Sequence, residues 1–407
     1  MSLNVMLALK FLKSGRNQTI LIILGIAVGI SILVFIGALI DGLQKDLIDG
    51  TVGNTPHIII DPSQEKPTPQ IQANDGTIYN RKTINTYRRT PTISGWKQDI
   101  SLIEKNKGII TISPAVIGAG FISKGGINKS VVIRGLNINE GDKIYDITRR
   151  VIKGEGLSGS NNILIGSSLA NDLDISINDI VNITTNNGNQ DLYNIQGIFD
   201  LENEALNNSW IVMDIGRAQK FFNLDGNIST IELQVEDIFM ATSIANNLKG
   251  QFKGYDIKSW QENNQQLLTA LNSQSSSTLL IQVFVLIAVT LGIASVLAIS
   301  VIQKSKQIGI LKAMGIKTKN ASSIFLLQGF ILGFLGSLIG SGFGSFLTLI
   351  FVTFVKNEKN EPLFPIEISF NYILTVIIIA TIATTLAAAF PARRSAKLDP
   401  IEVIRNG

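Results

Sequence analysis

Four long stretches of the sequence contain no Asp, Glu, Lys or Arg, and they constrain the fold more than any other feature. They are residues 17–40, 278–302, 321–355 and 368–392. A helix needs roughly 20 apolar residues to cross the hydrocarbon core of a bilayer, and each stretch is long enough. Buried helices of a large soluble protein are the weaker explanation, because such helices usually carry charge on an outer face. The sequence therefore predicts four membrane-spanning helices.

The first of these stretches could be mistaken for a signal peptide. Its apolar run is longer than the roughly 7–15 residues of a signal-peptide core. No small-residue cleavage site follows it, since the next residues are Asp41-Gly42-Leu43. We therefore expect an uncleaved anchor in a multi-pass protein of the cytoplasmic (inner) membrane.

Basic residues are concentrated beside the predicted spans, in segments 1–16, 303–320 and 393–407. These segments hold twelve basic and two acidic residues, a net charge of +10, whereas the whole chain carries +4. By the positive-inside rule the three segments are cytoplasmic. The basic character of the chain thus orients the spans and indicates no nucleic-acid partner.

An even number of spans with both termini inside defines the fold class. We predict a membrane α-helical protein with four transmembrane helices, both termini cytoplasmic, and a large extracytoplasmic α+β domain inserted between helices 1 and 2. The predicted segments are cytoplasmic 1–16, transmembrane 17–40, extracytoplasmic 41–277, transmembrane 278–302, cytoplasmic 303–320, transmembrane 321–355, extracytoplasmic 356–367, transmembrane 368–392 and cytoplasmic 393–407.

The extracytoplasmic segment begins with a Pro- and Thr-rich excursion at residues 61–96 and then alternates between strand and helix patterns. Asn187-Gly188, between two alternating apolar runs, predicts a β-hairpin. From Gln261 the pattern becomes helical and continues into the second span. One continuous helix about 60 Å long fits this pattern. Two helices with a break at residues 273–277 fit it as well.

The third span contains glycines at regular spacing. Small residues four positions apart, with three residues between them, let helices approach closely within lipid. We therefore assign helix packing to Gly329, Gly333, Gly336, Gly340 and Gly344. The partner helix can belong to the same chain or to a second copy.

The chain lacks the residues of common catalytic and metal sites. It has no cysteine and one histidine, which excludes thiolate zinc sites, iron–sulfur clusters and a cysteine nucleophile. No phosphate-binding glycine-rich motif occurs, and no span carries a charge at its centre, as ion-driven transporters usually do. We expect no catalytic, metal-binding or cofactor-binding residue, and His57 is expected to be structural, near the first strand.

Several motifs resemble a known family of membrane proteins. The segment after the second span reads Gln307-Ile-Gly-Ile-Leu-Lys-Ala-Met-Gly315, and the C-terminus contains Pro391-Ala-Arg-Arg394. Their order and spacing around four spans resemble the permease subunits of type VII ABC transporters, the MacB/FtsX superfamily. The N-terminal region is most similar to the lipoprotein-releasing permeases of the LolC/LolE type. Gln307 departs from the family, which has glutamate there.

This resemblance implies mechanotransmission driven by a separate cytoplasmic ABC ATPase dimer, with ATP and Mg on that partner. The expected ATPase-coupling residues are Lys306, Gln307, Ile308, Leu311, Lys312, Met314 and Gly315. Substrate is expected at Ile40, Leu43, Leu267 and Leu271. A second copy or a paralogous permease, membrane lipid, and a soluble lipoprotein carrier or other extracytoplasmic partner are the further expected partners. Lipoprotein release is the leading function, with MacB-like efflux of peptides or drugs and an FtsX-like scaffold for a hydrolase as alternatives.

Overall fold

The fold is taken from a computed structural model, which describes residues 3–63, 91–159, 161–314, 318–356, 360, 362–366 and 368–396. Most of the predicted excursion at 61–96 therefore lies outside the described residues. The chain forms two compact units. One contains residues 1–48 and 269–407, and the other contains residues 49–268. We call them the membrane unit and the inserted unit.

The membrane unit is helical. Its helices are α1 (Leu3–Ser14), α2 (Arg16–Val52), α10 (Gln265–Gln303), α11 (Ser305–Ala313), α12 (Thr318–Phe354), α13 (Phe370–Ala387) and α14 (Ala389–Ala396), where α2 and α10 continue into the inserted unit. Within the described part of the chain, four helical segments are long and apolar enough to cross a membrane. They are Arg16–Val52, Gln265–Gln303, Ser322–Phe354 and Phe370–Arg393.

Helix α10 runs without interruption through residues 273–277, where the sequence also allowed a break. The hydroxyls of Ser273 and Ser277 each donate to the carbonyl four residues earlier, at 2.8 and 2.9 Å. Their polar groups are therefore satisfied inside the helix, and a serine-rich run need not end it. The chain leaves helical geometry earlier, at Asn264 (φ −112°, ψ 35°).

The inserted unit is an α+β domain. Its helices are α3 (Trp96–Ile103), α4 (Ile138–Tyr145), α5 (Ser167–Asp172), α6 (Glu204–Asn207), α7 (Ile215–Phe221), α8 (Ala241–Gln251) and α9 (Trp260–Asn263). Its strands are β1 (Ile58–Pro62), β2 (Ile109–Lys124), β3 (Ile127–Leu136), β4 (Val151–Gly154), β5 (Asn162–Gly166), β6 (Ile180–Thr185), β7 (Gln190–Phe199), β8 (Trp210–Asp214), β9 (Thr230–Val235) and β10 (Tyr255–Ser259).

Six strands pair in a closed ring, in the order β2-β3-β8-β5-β7-β6 and back to β2. Closure is possible because β2 is long. Its residues 120–123 pair with β6, while residues 109–115 pair with β9. Strands β1 and β10 extend the sheet beyond β9, and β4 pairs with β7. The parallel pairs are β3 with β8 and β5 with β7.

The hairpin predicted at Asn187-Gly188 is present and joins β6 to β7. Gly188 has φ 86°, a value that glycine adopts without steric cost. The amide of Thr185 donates to the carbonyl of Asn189 at 2.8 Å and closes the turn. The alternating burial of β6 and β7 follows, with Val181, Ile183, Tyr193 and Ile195 buried.

His57 lies next to β1 and is buried. Its Nδ1 accepts a hydrogen bond from the amide of Val235 at 3.1 Å, and its own amide donates to the carbonyl of Leu233 at 2.8 Å. Burial lowers the pKa of the His57 imidazole below its usual value. The side chain therefore joins β1 to β9 in its neutral form.

Candidate functional site

Helices α2, α10 and α13 line a half-open cavity of about 440 Å³ at the end of the membrane unit where α2 leaves and α10 enters. We call it the polar cavity, because its wall carries the polar side chains of Asp41, Gln44, Ser275, Gln282 and Tyr372 among apolar ones that include Ala38, Ile40 and Leu279. Its volume is in the range of small-molecule sites in proteins. Polar and ionisable side chains on membrane-spanning helices usually face a cavity or the bundle interior, and they often mark functional sites.

Hydrogen bonds hold two of these polar side chains in place. The Gln44 amide nitrogen donates to the Ser275 hydroxyl at 2.8 Å and to the Leu271 carbonyl at 3.3 Å, which joins α2 to α10. The Tyr372 hydroxyl donates to the Leu33 carbonyl at 3.1 Å, which joins α13 to α2. The cavity wall is therefore built from three helices that are far apart in sequence.

Gly37 provides the space in which these side chains meet. A Cβ atom at this position would overlap the Tyr372 hydroxyl and would lie 3.3 Å from the Gln282 amide nitrogen. No larger residue fits without moving one of them. Glycine at position 37 thus sets the depth of the cavity.

A second space, of about 330 Å³, lies farther along α2 and α10. We call it the apolar cleft, because its wall consists of aliphatic side chains and glycines, including Leu21, Ile22 and Ala288. A Cβ atom added at Gly25 or Gly292 would meet nothing within 4 Å. The two glycines therefore leave an open space with apolar walls.

The polar cavity and the apolar cleft are separated by one close helix contact. A Cβ atom at Gly29 would overlap the side chain of Val289, so α2 and α10 touch at this point. On either side of Gly29 the two helices leave open space. The same helix pair therefore presents a polar and an apolar compartment.

The four residues expected to contact substrate are distributed unevenly. Ile40 lines the polar cavity. Leu43 is half-buried and Leu271 is buried, so Leu271 contributes its backbone carbonyl rather than its side chain. Leu267 is half-buried and belongs to the inserted unit. The structure thus brings one of the four side chains to this cavity.

The glycines of the third span face two different helices of the same chain. Gly329 and Gly333 lie against the C-terminal end of α13, where added Cβ atoms would overlap the side chains of Ala388, the residue after the helix, and Thr384, respectively. Gly336, Gly340 and Gly344 lie against α2, where added Cβ atoms would fall within 2.9 Å of Ile26, Ala27 and Ser31, respectively. One glycine series therefore serves two helix contacts.

The expected ATPase-coupling residues lie on and after α11. Ile308 is 2% exposed and packs in a cluster with Val301, Phe325 and Ala392. Met314 is 70% exposed, and Lys306 and Gln307 are exposed as well. Gly315 and the side chains of Leu311 and Lys312 lie outside what the structure describes. Ile308 thus holds the segment on the helices, while its described neighbours remain accessible.

Sequence reasoning missed most of the polar cavity. Asp41, Gln44, Gln282 and Tyr372 come from three helices, of which the first two are separated by more than 200 residues of sequence and the last two by about 70. Each is a single polar residue in or beside a charge-free stretch, which is the signal that could have found them. Which of them face one another depends on helix rotation, and the sequence alone does not fix that.

Comparison with known proteins gives consistent results for both units. The family model described as MacB-like periplasmic core domain matches residues 19–250, and FtsX-like permease C-terminal matches residues 279–400. The lipoprotein-releasing system transmembrane protein LolC of Xylella fastidiosa is 22% identical and covers 99% of this chain and 98% of its own length. LolC of Neisseria meningitidis is 23% identical, with 99% of both chains covered. LolE of Haemophilus influenzae is 22% identical over 94% of this chain and 93% of its own length.

Proposed function

We propose a function from the premise that the chain belongs to the family of ABC transporter permeases with a MacB-like periplasmic core domain and an FtsX-like permease domain. Members of this family are the permease components of ABC transporters and work with an ATPase. The chain is accordingly a multi-pass protein of the cytoplasmic membrane. The proposed activity is the release of lipoproteins from the outer leaflet of that membrane.

The proposed orientation follows from charge. Both termini and the segment containing α11 are cytoplasmic, because they carry the excess of lysine and arginine. The inserted unit is then extracytoplasmic. The polar cavity lies at the outer leaflet, where the protein part of a lipid-anchored substrate meets its acyl chains.

The observation that carries the proposal is the pairing of the polar cavity with the apolar cleft on α2 and α10. A lipoprotein has a polar peptide beside long hydrocarbon chains. Asp41, Gln44 and Gln282 offer hydrogen-bond partners to the peptide and the linkage region, and the space beside Gly25 and Gly292 accepts hydrocarbon. A wholly polar or wholly apolar substrate would use only one of the two compartments.

In the proposed mechanism a separate ATPase dimer binds the accessible side of the coupling segment around Lys306, Gln307 and Met314. ATP and Mg are held by that dimer, and this chain contributes no catalytic group. Ile308 transmits the movement because it is packed among Val301 and Phe325. A second copy or a paralogous permease completes the assembly, and a soluble carrier receives the lipoprotein.

Site-specific crosslinking tests this function. A photoreactive residue at Ile40 and another at Ala288 should capture lipoproteins in cells, and blocking lipoprotein acylation should abolish the crosslinks. A photoreactive residue at Leu349, 60% exposed on α12, is the matched control and should capture none. Depletion of the protein should leave lipoproteins in the cytoplasmic membrane.

Two other outcomes would indicate that the protein has a function other than lipoprotein release. Capture of a non-acylated peptide or drug at Ile40, with normal lipoprotein localisation after depletion, would indicate efflux. Co-purification of a cell-wall hydrolase, with no substrate captured from either position, would indicate a regulatory scaffold.

A further inference from the structure

A third open space lies at the end of the membrane unit where α2 begins. It is a groove of about 530 Å³ between α1, the first turns of α2, and α12. Its floor is formed by aliphatic side chains, among them Leu9, Ile20, Ile331 and Leu335. Several of them are strongly exposed, with Ile20 at 56% and Leu335 at 41%.

The packing of α1 explains why this groove exists. Ala8 is fully buried, and Phe11 packs on the cluster around Ile308, so one face of α1 lies against the bundle. The Thr19 hydroxyl donates to the Leu12 carbonyl at 2.9 Å and fixes the corner between α1 and α2. The opposite face of α1 lines the groove. It carries Met6, Leu9, Lys10 and Lys13, which are spaced about one helical turn apart.

Three cations line the groove, Lys10 and Lys13 from α1 and Arg16 from the start of α2. Residues 1–40 contain no acidic residue that could neutralise them. Among the residues that the structure describes, none makes an ion pair or hydrogen bond with these three side chains. Within the part of the chain that the structure describes, the groove therefore combines an aliphatic floor with three cations that have no acidic partner.

We propose that this groove binds one anionic phospholipid. Its phosphate would lie among Lys10, Lys13 and Arg16, and one acyl chain would lie on Ile20, Ile331 and Leu335. Basic pockets between membrane helices attract anionic headgroups, and an interfacial helix that carries both cations and apolar residues strengthens that attraction. In the orientation proposed above, the lipid comes from the cytoplasmic leaflet, but the binding itself does not depend on that orientation.

Bound lipid would also stabilise the contacts between α1 and the junction of α10 and α11, where the coupling segment begins. The Lys304 ammonium donates to the Ser14 hydroxyl at 2.9 Å, and Phe11 contacts the cluster that contains Ile308. Both contacts join α1 to the region where α10 passes into α11. An occupied groove would therefore hold this region in its observed arrangement.

The test measures lipid binding to the full chain in detergent by native mass spectrometry. Phosphatidylglycerol and phosphatidylcholine with identical acyl chains are titrated separately. We expect one phosphatidylglycerol to bind at least about tenfold more tightly than phosphatidylcholine, and Lys10→Gln/Lys13→Gln/Arg16→Gln to abolish that preference. The control Lys97→Gln/Lys105→Gln/Lys107→Gln removes the same charge from exposed positions of the inserted unit and should retain the preference.

A second pair of variants distinguishes lipid binding in the groove from nonspecific electrostatic attraction of anionic lipid to the protein. Leu335→Trp fills the floor without changing charge and should weaken phosphatidylglycerol binding, whereas Leu349→Trp, elsewhere on α12, should not. Equal binding of the two lipids, or unchanged binding in Leu335→Trp, would overturn the proposal. The chain has no cysteine, so single-cysteine variants at Met6 and Leu335 also test the rival occupant. Crosslinks between copies from these positions would assign the groove to a second copy instead.

Discussion

The hydroxyl of Tyr372 donates a hydrogen bond to the backbone carbonyl of Leu33, 3.1 Å away, and so joins the fourth apolar helix to the first. The carbonyl of Leu33 is also the intrahelical acceptor for residue 37, which is glycine. Tyr372 can reach this carbonyl because residue 37 has no side chain. The contact therefore fixes one wall of the polar cavity.

Gly37→Ala should displace Tyr372 and narrow the polar cavity. The added methyl group would overlap the Tyr372 hydroxyl, and overpacking of this kind costs about 1–3 kcal/mol. We expect a lower Tm and fewer lipoprotein crosslinks from position 40. Tyr372→Phe should lower the Tm but keep the crosslinks. In the control Gly50→Ala, on the same helix, the new methyl meets nothing within 4 Å, so the crosslinks should stay at the wild-type level and the Tm should stay the same or rise.

Gly340→Ala should weaken the contact between α12 and α2. A Cβ atom at position 340 would lie 2.6 Å from the Ala27 carbonyl oxygen, and backbone atoms cannot move aside as a side chain can. Small residues are what permit such close helix contacts in lipid. The expected loss is about 1–3 kcal/mol, measured as a decrease in Tm in detergent.

Gly342→Ala provides the comparison for this variant. It lies two residues away on the same helix, and its new methyl group meets nothing within 4 Å. Since alanine favours helix more than glycine does, its Tm should stay the same or rise. Equal losses from Gly340→Ala and Gly342→Ala would mean that the α2 contact contributes nothing.

The coupling segment, residues 306–315, gives a prediction that distinguishes two roles. One is to hold the segment on the helices, and the other is to contact the ATPase. Met314→Asp should reduce binding of the ATPase at least tenfold with little change in Tm, because the side chain is 70% exposed. Ile308→Asp should lower the Tm strongly, because it buries an unpaired carboxylate in an apolar cluster. Thermal unfolding and ATPase pull-down on both variants check this. Normal ATPase binding in Met314→Asp would contradict the proposal that the exposed side of the coupling segment contacts the ATPase.

Where the sequence predicted elements correctly, local chemistry decided the structure. The four apolar helices follow from the lack of charge, and the hairpin at Gly188 follows from a turn that needs positive φ. Helix ends were harder to predict, because hydropathy marks where lipid ends and not where a helix ends. Helix α2 continues past Asp41 to Val52, with Asp46 and Asp49 on its exposed or half-exposed surface.

The remaining features depend on contacts between distant parts of the chain. Strand β4 was not predicted, since three of its four residues are exposed and show no alternation. The ring of six strands requires β3 to lie parallel to β8, about 75 residues later. The polar cavity likewise requires Gln44, Ser275 and Tyr372 to meet, and this depends on how three helices rotate against one another.

His57 predicts a pH dependence of stability. Because burial lowers its pKa below the usual 6.5, the unfolded chain binds a proton more readily than the folded chain. The contribution of His57 to the free energy of unfolding is therefore most favourable above pH 6.5. It is lost as the pH falls from 6.5 through the lowered pKa of the folded state. His57 is the only histidine, so its NMR titration is unambiguous. A titration midpoint at or above 6.5 would contradict this.

His57→Asn separates this effect from other titrations. The asparagine oxygen can accept the bond from Val235 but does not titrate. The pH slope of stability just below 6.5 should therefore decrease. The pKa of Asp61 is raised by burial, so its contribution has the opposite sign and leaves the test intact.

Arg134 and Glu232 form a buried ion pair in the inserted unit and give the last prediction. The guanidinium carbon of Arg134 lies 4.2 Å from the ring centre of Trp210 and 4.8 Å from that of Tyr145. Arg134→Met removes the counter-ion of a carboxylate that is 1% exposed, and such a loss costs about 3–5 kcal/mol. We expect Arg134→Met to be strongly destabilised.

The double variant Arg134→Met/Glu232→Leu should recover most of that loss, because a packed apolar pair has no charge to desolvate. Urea unfolding of the full chain followed by tryptophan fluorescence measures this. Trp96, Trp210 and Trp260 are the three tryptophans of the chain, and all lie in the inserted unit, so the signal reports that unit. If the double variant were as unstable as Arg134→Met, the stability of the inserted unit would depend mainly on the packing of Arg134 on the two rings. The ion pair would then contribute little.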